Sequence, residues 1–260
     1  MRRKPPVQRG RDRIDELERM KTEFLAIASH KLRTPLATVK NALGLVSDGS
    51  AGPLNEDQRK FLRIADRNVD KLAVLINDFF LLSDLESGYV ELLKAEVDIN
   101  ELIEGALAAF SRPAKACGIS LRFEPDKTLD KVDADEYKIV QALNNLISNA
   151  VKFSRKGGTV TVTASMHSRD KDFIQVSVKD AGIGIAKEYF DRIFDRFQQI
   201  DTALTRKFSG SGLGLAICKR IIELHKGKVW LESELNKGST FHFILPIKRR
   251  GPSSRTAIDK

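Results

Sequence analysis

The sequence predicts an α+β chain in two parts, a long helical hairpin followed by a sandwich with helices on one side of a sheet. Three observations predict it. Between 12 and 86, apolar residues recur in steps of three and four, the period of amphipathic helices. From 98 onward helical stretches alternate with short segments of period two, the mark of half-buried strands. With 260 residues, 42% hydrophobic and 30% charged, the chain is long enough for one large core or two smaller ones.

The net charge of +9 is carried by the ends. Residues 1–13 hold six Lys/Arg against one Asp and residues 248–260 hold five against one, so 14–247 is neutral. A nucleic-acid face would place its excess on the folded part, which argues against a nucleic-acid partner. Cys117 and Cys218 stand alone, without metal or redox spacing, which favours a reducing cytoplasmic setting. No apolar run approaches the roughly 20 residues of a membrane span, so any membrane link is expected only through a missing N-terminal sensor.

Residues 1–11, basic and holding Pro5 and Pro6, read as an unstructured lead. A helix is expected from about Asp12 to Val46, with a heptad seam of Leu25, Ala28, Leu32, Leu36, Val39, Leu43 and Val46. His30 lies off this seam, and Thr34 follows one turn later on the same face. Pro35 deprives the Lys31 carbonyl of its helical donor, so a bend is expected just past the histidine. Residues 47–55 are a turn by their Gly, Pro, Asp and Asn content. Asn55 with Gln58 makes a capping box for a second helix, whose seam is Leu62, Ala65, Val69, Leu72, Ile76 and Phe79. Two such helices form an antiparallel hairpin, and one hairpin has too little neighbour to cover both seams. Pairing of two copies into a four-helix bundle, a homodimer, is the expected solution.

The expected organisation is a lead at 1–11, the hairpin at 12–86, a hinge at 87–97, a second domain at 98–247 and a basic tail at 248–260. Within the second domain, 98–116, 133–153 and 214–225 read as helices, the middle one capped by Asp133 with Glu136. Strands are expected at 120–125, 159–165 and 173–179, and a closing hairpin at 228–233 and 240–246.

Three motifs lie on these elements. The helix 133–153 has an apolar stripe of Ile139, Leu143, Leu146 and Ala150, and a separate stripe of Asn145, Asn149 and Lys152. One helical Asn is ordinarily solvated surface. Two Asn and a Lys in line suit Mg²⁺ and phosphate, since amide oxygens are hard ligands and Lys carries the opposing charge. Next, Asp180-Ala-Gly182-Ile-Gly184-Ile185 follows a strand, where glycines let the backbone approach a ligand while the carboxylate accepts from an amine. Third, Gly210-Ser-Gly212-Leu213-Gly214-Leu215 opens a helix, whose free N–H groups face an anion. Each of the last two, taken alone, is also an ordinary Gly-rich turn or loop.

Residues His30 to Pro35, H-K-L-R-T-P, resemble the phosphoacceptor box of sensor histidine kinases, written H-E-L-R-T-P. Asn145 to Phe153 resembles the asparagine box of their ATPase domain, Asp180 to Gly184 its first glycine box, Phe194-Asp-Arg-Phe197 its phenylalanine box, and Gly210 to Leu215 its second glycine box. Lys237-Gly238-Ser239-Thr240-Phe241 is similar to the closing hairpin. The resemblance covers roughly 17–246 and implies a Bergerat (GHKL) sandwich that binds ATP with Mg²⁺. It implies Asp180 on the adenine amine, Asn149 and Asn145 on Mg²⁺, and Lys152 near phosphate. Phe153, Gly182, Gly184, Ile185, Gly210, Gly212, Leu213, Gly214, Leu215 and Thr240 are the further nucleotide-binding positions it implies. Residues 185–209 correspond to the mobile ATP lid, with Arg206 and Lys207 as candidate γ-phosphate contacts. At Gln199 many members carry a basic residue and this chain does not.

The function implied is ATP-dependent autophosphorylation of His30, followed by transfer to an aspartate on a response regulator receiver domain. The box departs from the family at Lys31, where an acidic residue normally accepts the other ring N–H. Losing such a partner typically costs about 10²–10⁴-fold. Lys31 also offers charge to the γ-phosphate, and Thr34 takes the place of the family's phosphatase residue. A second reading is therefore a kinase-impaired phosphatase or an ATP-gated scaffold. A third, a different Bergerat ATPase of chaperone, topoisomerase or mismatch-repair type, has no use for a histidine on a helical hairpin. His167 in a loop, His225 at a helix end where a cation suits the dipole, and His242 in a strand are expected to be non-catalytic.

Overall fold

The computed structural model describes residues 6–88, 90–199 and 210–247. The basic tail 248–260 and both candidate cations, Arg206 and Lys207, lie outside the described residues, as does the side chain of His30. The chain divides into two compact units, Met1–Val90 with Ser209–Leu213, and Glu91–Phe208 with Gly214–Lys260. The break at Val90 falls inside the expected hinge.

The first unit is built on α1 (Pro6–Ser47) and α2 (Glu56–Glu86). Helix α1 begins at Pro6, so the expected lead of 1–11 is partly helical. A proline's fixed φ and missing N–H suit the first turn, and nothing before Asp12 stops the helix. The helix continues through Pro35. At the head of α2, the Gln58 N–H donates to Asn55 Oδ1 at 2.8 Å and the Asn55 N–H donates to Gln58 Oε1 at 2.9 Å. This is the expected capping box, worth about 1 kcal/mol. Arg33 Nε donates to Asn77 Oδ1 at 3.0 Å, and Lys40 pairs with Asp70. Seven residues forward on α1 match seven back on α2, so the hairpin is antiparallel. Its seams stay uncovered within one chain: Leu32, Val39, Leu72 and Phe79 are 42–47% exposed.

The second unit runs β1 (Ala95–Val97), α3 (Ile99–Cys117), β2 (Ser120–Glu124), β3 (Val132–Ala134), α4 (Glu136–Phe153), β4 (Thr159–Met166), β5 (Phe173–Lys179), α5 (Gly214–Leu224), β6 (Lys228–Glu234) and β7 (Gly238–Pro246). Five strands form one sheet in the order β2-β4-β5-β7-β6, with β2 parallel to β4 and the other pairs antiparallel. Helix α4 packs against both α3 and α5. One side of the pleat, with Val160, Val162, Ile174, Val176, Val178, Phe241 and Phe243, is buried with Ile139, Leu143, Leu146 and Ile147 of α4 and Ile217 and Ile221 of α5. This is the helix-on-sheet sandwich the sequence predicts.

Three details differ from expectation. Strand β3 is too short for a period-two signal, yet it pairs antiparallel with β1, Glu96 opposite Asp133. Because Asp133 is spent in that ribbon, α4 is capped by Asp135, whose Oδ1 accepts from the Lys138 N–H at 3.1 Å. A one-turn 3-10 helix at Lys187–Tyr189, unmarked in the sequence, follows the first glycine stretch.

Candidate nucleotide site

Strand β5 delivers Asp180 at its C-terminal end, with only 6% of the residue exposed. Both protein bonds to its carboxylate fall on Oδ1, from the Gly182 N–H at 2.8 Å and the Ser239 N–H at 3.2 Å. The Asp180 N–H in turn donates to the Ser239 carbonyl at 2.8 Å. Among the described residues Oδ2 has no hydrogen-bond partner, which leaves it for a ligand donor. Burial pushes the carboxyl up to about 6, and the two backbone N–H groups pull it partly back. An acceptor so placed is suited to a ligand N–H donor.

Glycine at 182 and 184 is a requirement of space. A Cβ on Gly182 would sit 2.5 Å from the Phe153 carbonyl oxygen and 2.6 Å from Asp180 Oδ1. Gly184 has φ +70°, and a Cβ there would meet the Glu234 carbonyl oxygen at 2.0 Å. The end of α4 therefore lies directly on the first glycine stretch, and an isolated bridge joins Ser154 to Gly182.

Helix α4 carries the rest. The Lys152 ammonium lies over the Phe153 ring, 4.8 Å from its centroid, and burial lowers its pKa. Gly214, the first residue of α5, abuts Asn145, since a Cβ on it would lie 3.3 Å from Asn145 Oδ1. Asn149 is half-buried one turn on. Phe194 packs edge-on against Phe241, with centroids 6.3 Å apart. The second unit thus gathers Asn145, Asn149, Lys152, Phe153, Asp180, Gly182, Gly184, Gly214 and Leu215. Gly210, Gly212 and Leu213 group with the first unit.

Thr240 does not join this cluster. The pleat sets it opposite Lys179 and Glu232, on the face away from Phe241, and Ser239 takes the inward position. The alternation was legible, because Phe241 must face the core and Ser239 shares its side. Sequence reasoning also missed Ser233, whose Oγ accepts from the Ile185 N–H at 2.8 Å. His225 is not a solvated cation at a helix end. It is 1% exposed, its Nε2 accepts from the Asp135 N–H at 3.0 Å and its Nδ1–H donates to the Ile221 carbonyl at 2.8 Å. That pairing fixes the neutral tautomer, and burial lowers the pKa. In the first unit, Lys31 and Thr34 are exposed on α1.

Residues 20–88 match the family model of the His Kinase A (phospho-acceptor) domain, and residues 134–249 match that of the histidine kinase-, DNA gyrase B- and HSP90-like ATPases. The chain belongs to the histidine kinase family. Its histidine kinase relatives include sensor histidine kinase WalK of Bacillus subtilis, 35% identical over 234 residues, which is 90% of this chain and 38% of WalK. Full-length ShkA, solved in complex with AMPPNP, superposes with a TM-score of 0.72 at 34% identity, over 86% of this chain and 45% of that one. Histidine kinase ThkA, solved in complex with response regulator protein TrrA, superposes with a TM-score of 0.61 at 27% identity, over 92% of this chain and 64% of that one. The chain therefore spans less than half the length of WalK and of ShkA. Among the described residues no helix is long and apolar enough to cross a membrane.

Proposed function

We propose that this chain is the core of a cytoplasmic protein-histidine kinase, which phosphorylates His30 from ATP and passes the phosphoryl group to an aspartate of a response regulator receiver domain. The single observation that carries the proposal is the buried Asp180 carboxylate, held through Oδ1 while Oδ2 has no hydrogen-bond partner among the described residues, on the same chain as the H-K-L-R-T-P box. Oδ2 accepts from the adenine amine. The N–H groups at the start of α5 face phosphate, and Lys152 offsets its charge.

Asn145 and Asn149 offer amide oxygens, the hard donors Mg²⁺ takes, with phosphate and water completing its shell. When bound, the ion neutralises charge on the transferring phosphoryl group. Arg206 and Lys207 are assigned to the γ-phosphate. Neutral His30 attacks through one ring nitrogen, so an N–P bond forms as the O–P bond to the ADP leaving group breaks. The protein's work is mainly positioning. Thr34 orients water when the phosphorylated receiver is dephosphorylated. The domains are the hairpin, from Pro6 to Glu86, the hinge at 87–97 and the ATP-binding domain at 98–247.

A homodimer is the assembly, because the seams that stay exposed in one hairpin are covered by a second. A receiver domain is the partner, as ThkA is seen with TrrA. The test is a chase: protein labelled from γ-labelled ATP is mixed with a panel of receiver domains. Label is expected to leave the kinase for one or a few of them within minutes. A labelled kinase that gives up nothing to any receiver would sink the transfer step.

A further inference from the structure

We propose that Ser233 is a positioning residue for phosphoryl transfer, fixing the start of the segment that leaves the first glycine stretch relative to Asp180. Its effect on catalysis rests on the ATP-binding reading above. Its structural part does not.

Ser233 lies near the end of β6, with its side chain on the same side of the sheet as Leu231. Its Oγ has three partners: the Ile185 N–H at 2.8 Å, the Gly238 carbonyl at 2.9 Å and the Ser239 hydroxyl at 2.9 Å. A hydroxyl has one proton and two lone pairs. The Gly238 carbonyl only accepts, so it takes the Ser233 proton. The Ile185 N–H only donates, so it takes one lone pair. The Ser239 hydroxyl must then donate to the other. Every capacity of Ser233 is used, and the direction of each bond is fixed.

Ser239 is also the residue whose N–H holds Asp180 Oδ1. The adenine-reading carboxylate and the Ile185 amide are therefore joined through the backbone N–H of Ser239 and then its hydroxyl and that of Ser233, in the order Asp180, Ser239, Ser233, Ile185. Two neighbours reinforce the attachment: the Asn236 N–H donates to the Ile183 carbonyl at 2.7 Å, and Gly184 lies close against the Glu234 backbone. Three consecutive residues, Ile183, Gly184 and Ile185, thus rest on the end of β6 and the turn that follows it. Two of those contacts are made by backbone. Ser233 is the only side chain among them, so it alone sets the Ile185 contact by residue identity.

The test compares the full chain with Ser233→Ala, Ser233→Thr and Ser233→Cys, reading amide exchange at Ile185 without nucleotide, ADP affinity, and the single-turnover rate of His30 phosphorylation against ATP concentration, with kcat its maximum and KM its half-saturating concentration. Ser233→Ala is expected to exchange Ile185 about tenfold faster or more and to lower kcat about tenfold, with ADP affinity and KM within about threefold. Ser233→Thr keeps the hydroxyl and restores both. Should Ser233→Ala not fold, Ser233→Cys, a weak donor and acceptor, is read in its place with the same expectations. Unchanged exchange at Ile185 in a folded variant overturns the proposal. So does a loss confined to KM, or a folded Ser233→Thr that restores neither readout. If the wild type is not phosphorylated at all, the functional reading fails, while the exchange data still decide the Ser233–Ile185 contact.

Discussion

Asp180 and Ser239 hold each other twice: the Asp180 N–H donates to the Ser239 carbonyl at 2.8 Å, and the Ser239 N–H donates back to Asp180 Oδ1 at 3.2 Å. The pairing ties the end of β5 to the start of β7 and turns the carboxylate so that one oxygen is spent on the protein. A buried acid with its geometry fixed and one oxygen in reserve is a costly arrangement. A carboxyl held near 6 rather than 3.8 costs on the order of 3 kcal/mol when ionised. On the ATP-binding function proposed above, stability is given up here for recognition.

Replacing Asp180 with Asn should separate the two. The amide oxygen still accepts from Gly182 and Ser239, but an NH₂ then faces the ligand amine, donor against donor. ADP binding measured by calorimetry is expected to weaken by about 100-fold or more. Thermal stability at pH 7.5 should hold or rise, because the buried charge is gone.

The same carboxyl gives opposite pH trends for binding and for folding. Its folded pKa is raised, so its contribution to stability is full below 3.8 and is lost as pH rises through about 6. Nucleotide binding needs the ionised form and should fall as pH drops below about 6. Calorimetric titrations of ADP at pH 7.5 and 5.2 check the binding arm, with weaker binding expected at the lower pH.

His225 acts the other way. Its folded pKa is depressed by burial, so its contribution to stability is present above 6.5 and is lost as pH falls through the folded value. His225→Phe leaves the buried Asp135 N–H without an acceptor and should cost about 1–3 kcal/mol at pH 7.5. The gap between wild type and variant should narrow at pH 5.5, as read by urea unfolding of both proteins at both pH values.

Gly184→Ala combines a left-handed backbone with a 2.0 Å contact to the Glu234 carbonyl oxygen. A loss of about 2 kcal/mol or more is expected in the thermal unfolding of the ATP-binding unit, with nucleotide affinity falling alongside.

What was legible in the sequence was what is local or periodic. The Asn55–Gln58 box, the strand Phe173–Lys179 and the stripe Asn145, Asn149, Lys152 each declare themselves within a few residues. What escaped depended on partners far along the chain. Asp133 with Glu136 reads as the capping box until β1 claims Asp133, and β1 lies more than 30 residues away. His225 reads as a helix-end cation until the Asp135 N–H, 90 residues upstream, demands an acceptor. Thr240 rests on a motif, whereas strand alternation puts Ser239 on the side of Phe241. Ser233 had no signal beyond being a polar residue on the buried side of a strand.

The most direct measurement is incubation with γ-labelled ATP and Mg²⁺ for the wild type, His30→Gln and Lys31→Glu. The account predicts acid-labile, base-stable label on the wild type and none on His30→Gln. It also predicts faster labelling of Lys31→Glu by about tenfold or more, because a positioned acceptor is restored beside the imidazole. A wild type that binds ADP yet takes no label, or label that persists in His30→Gln, would contradict it.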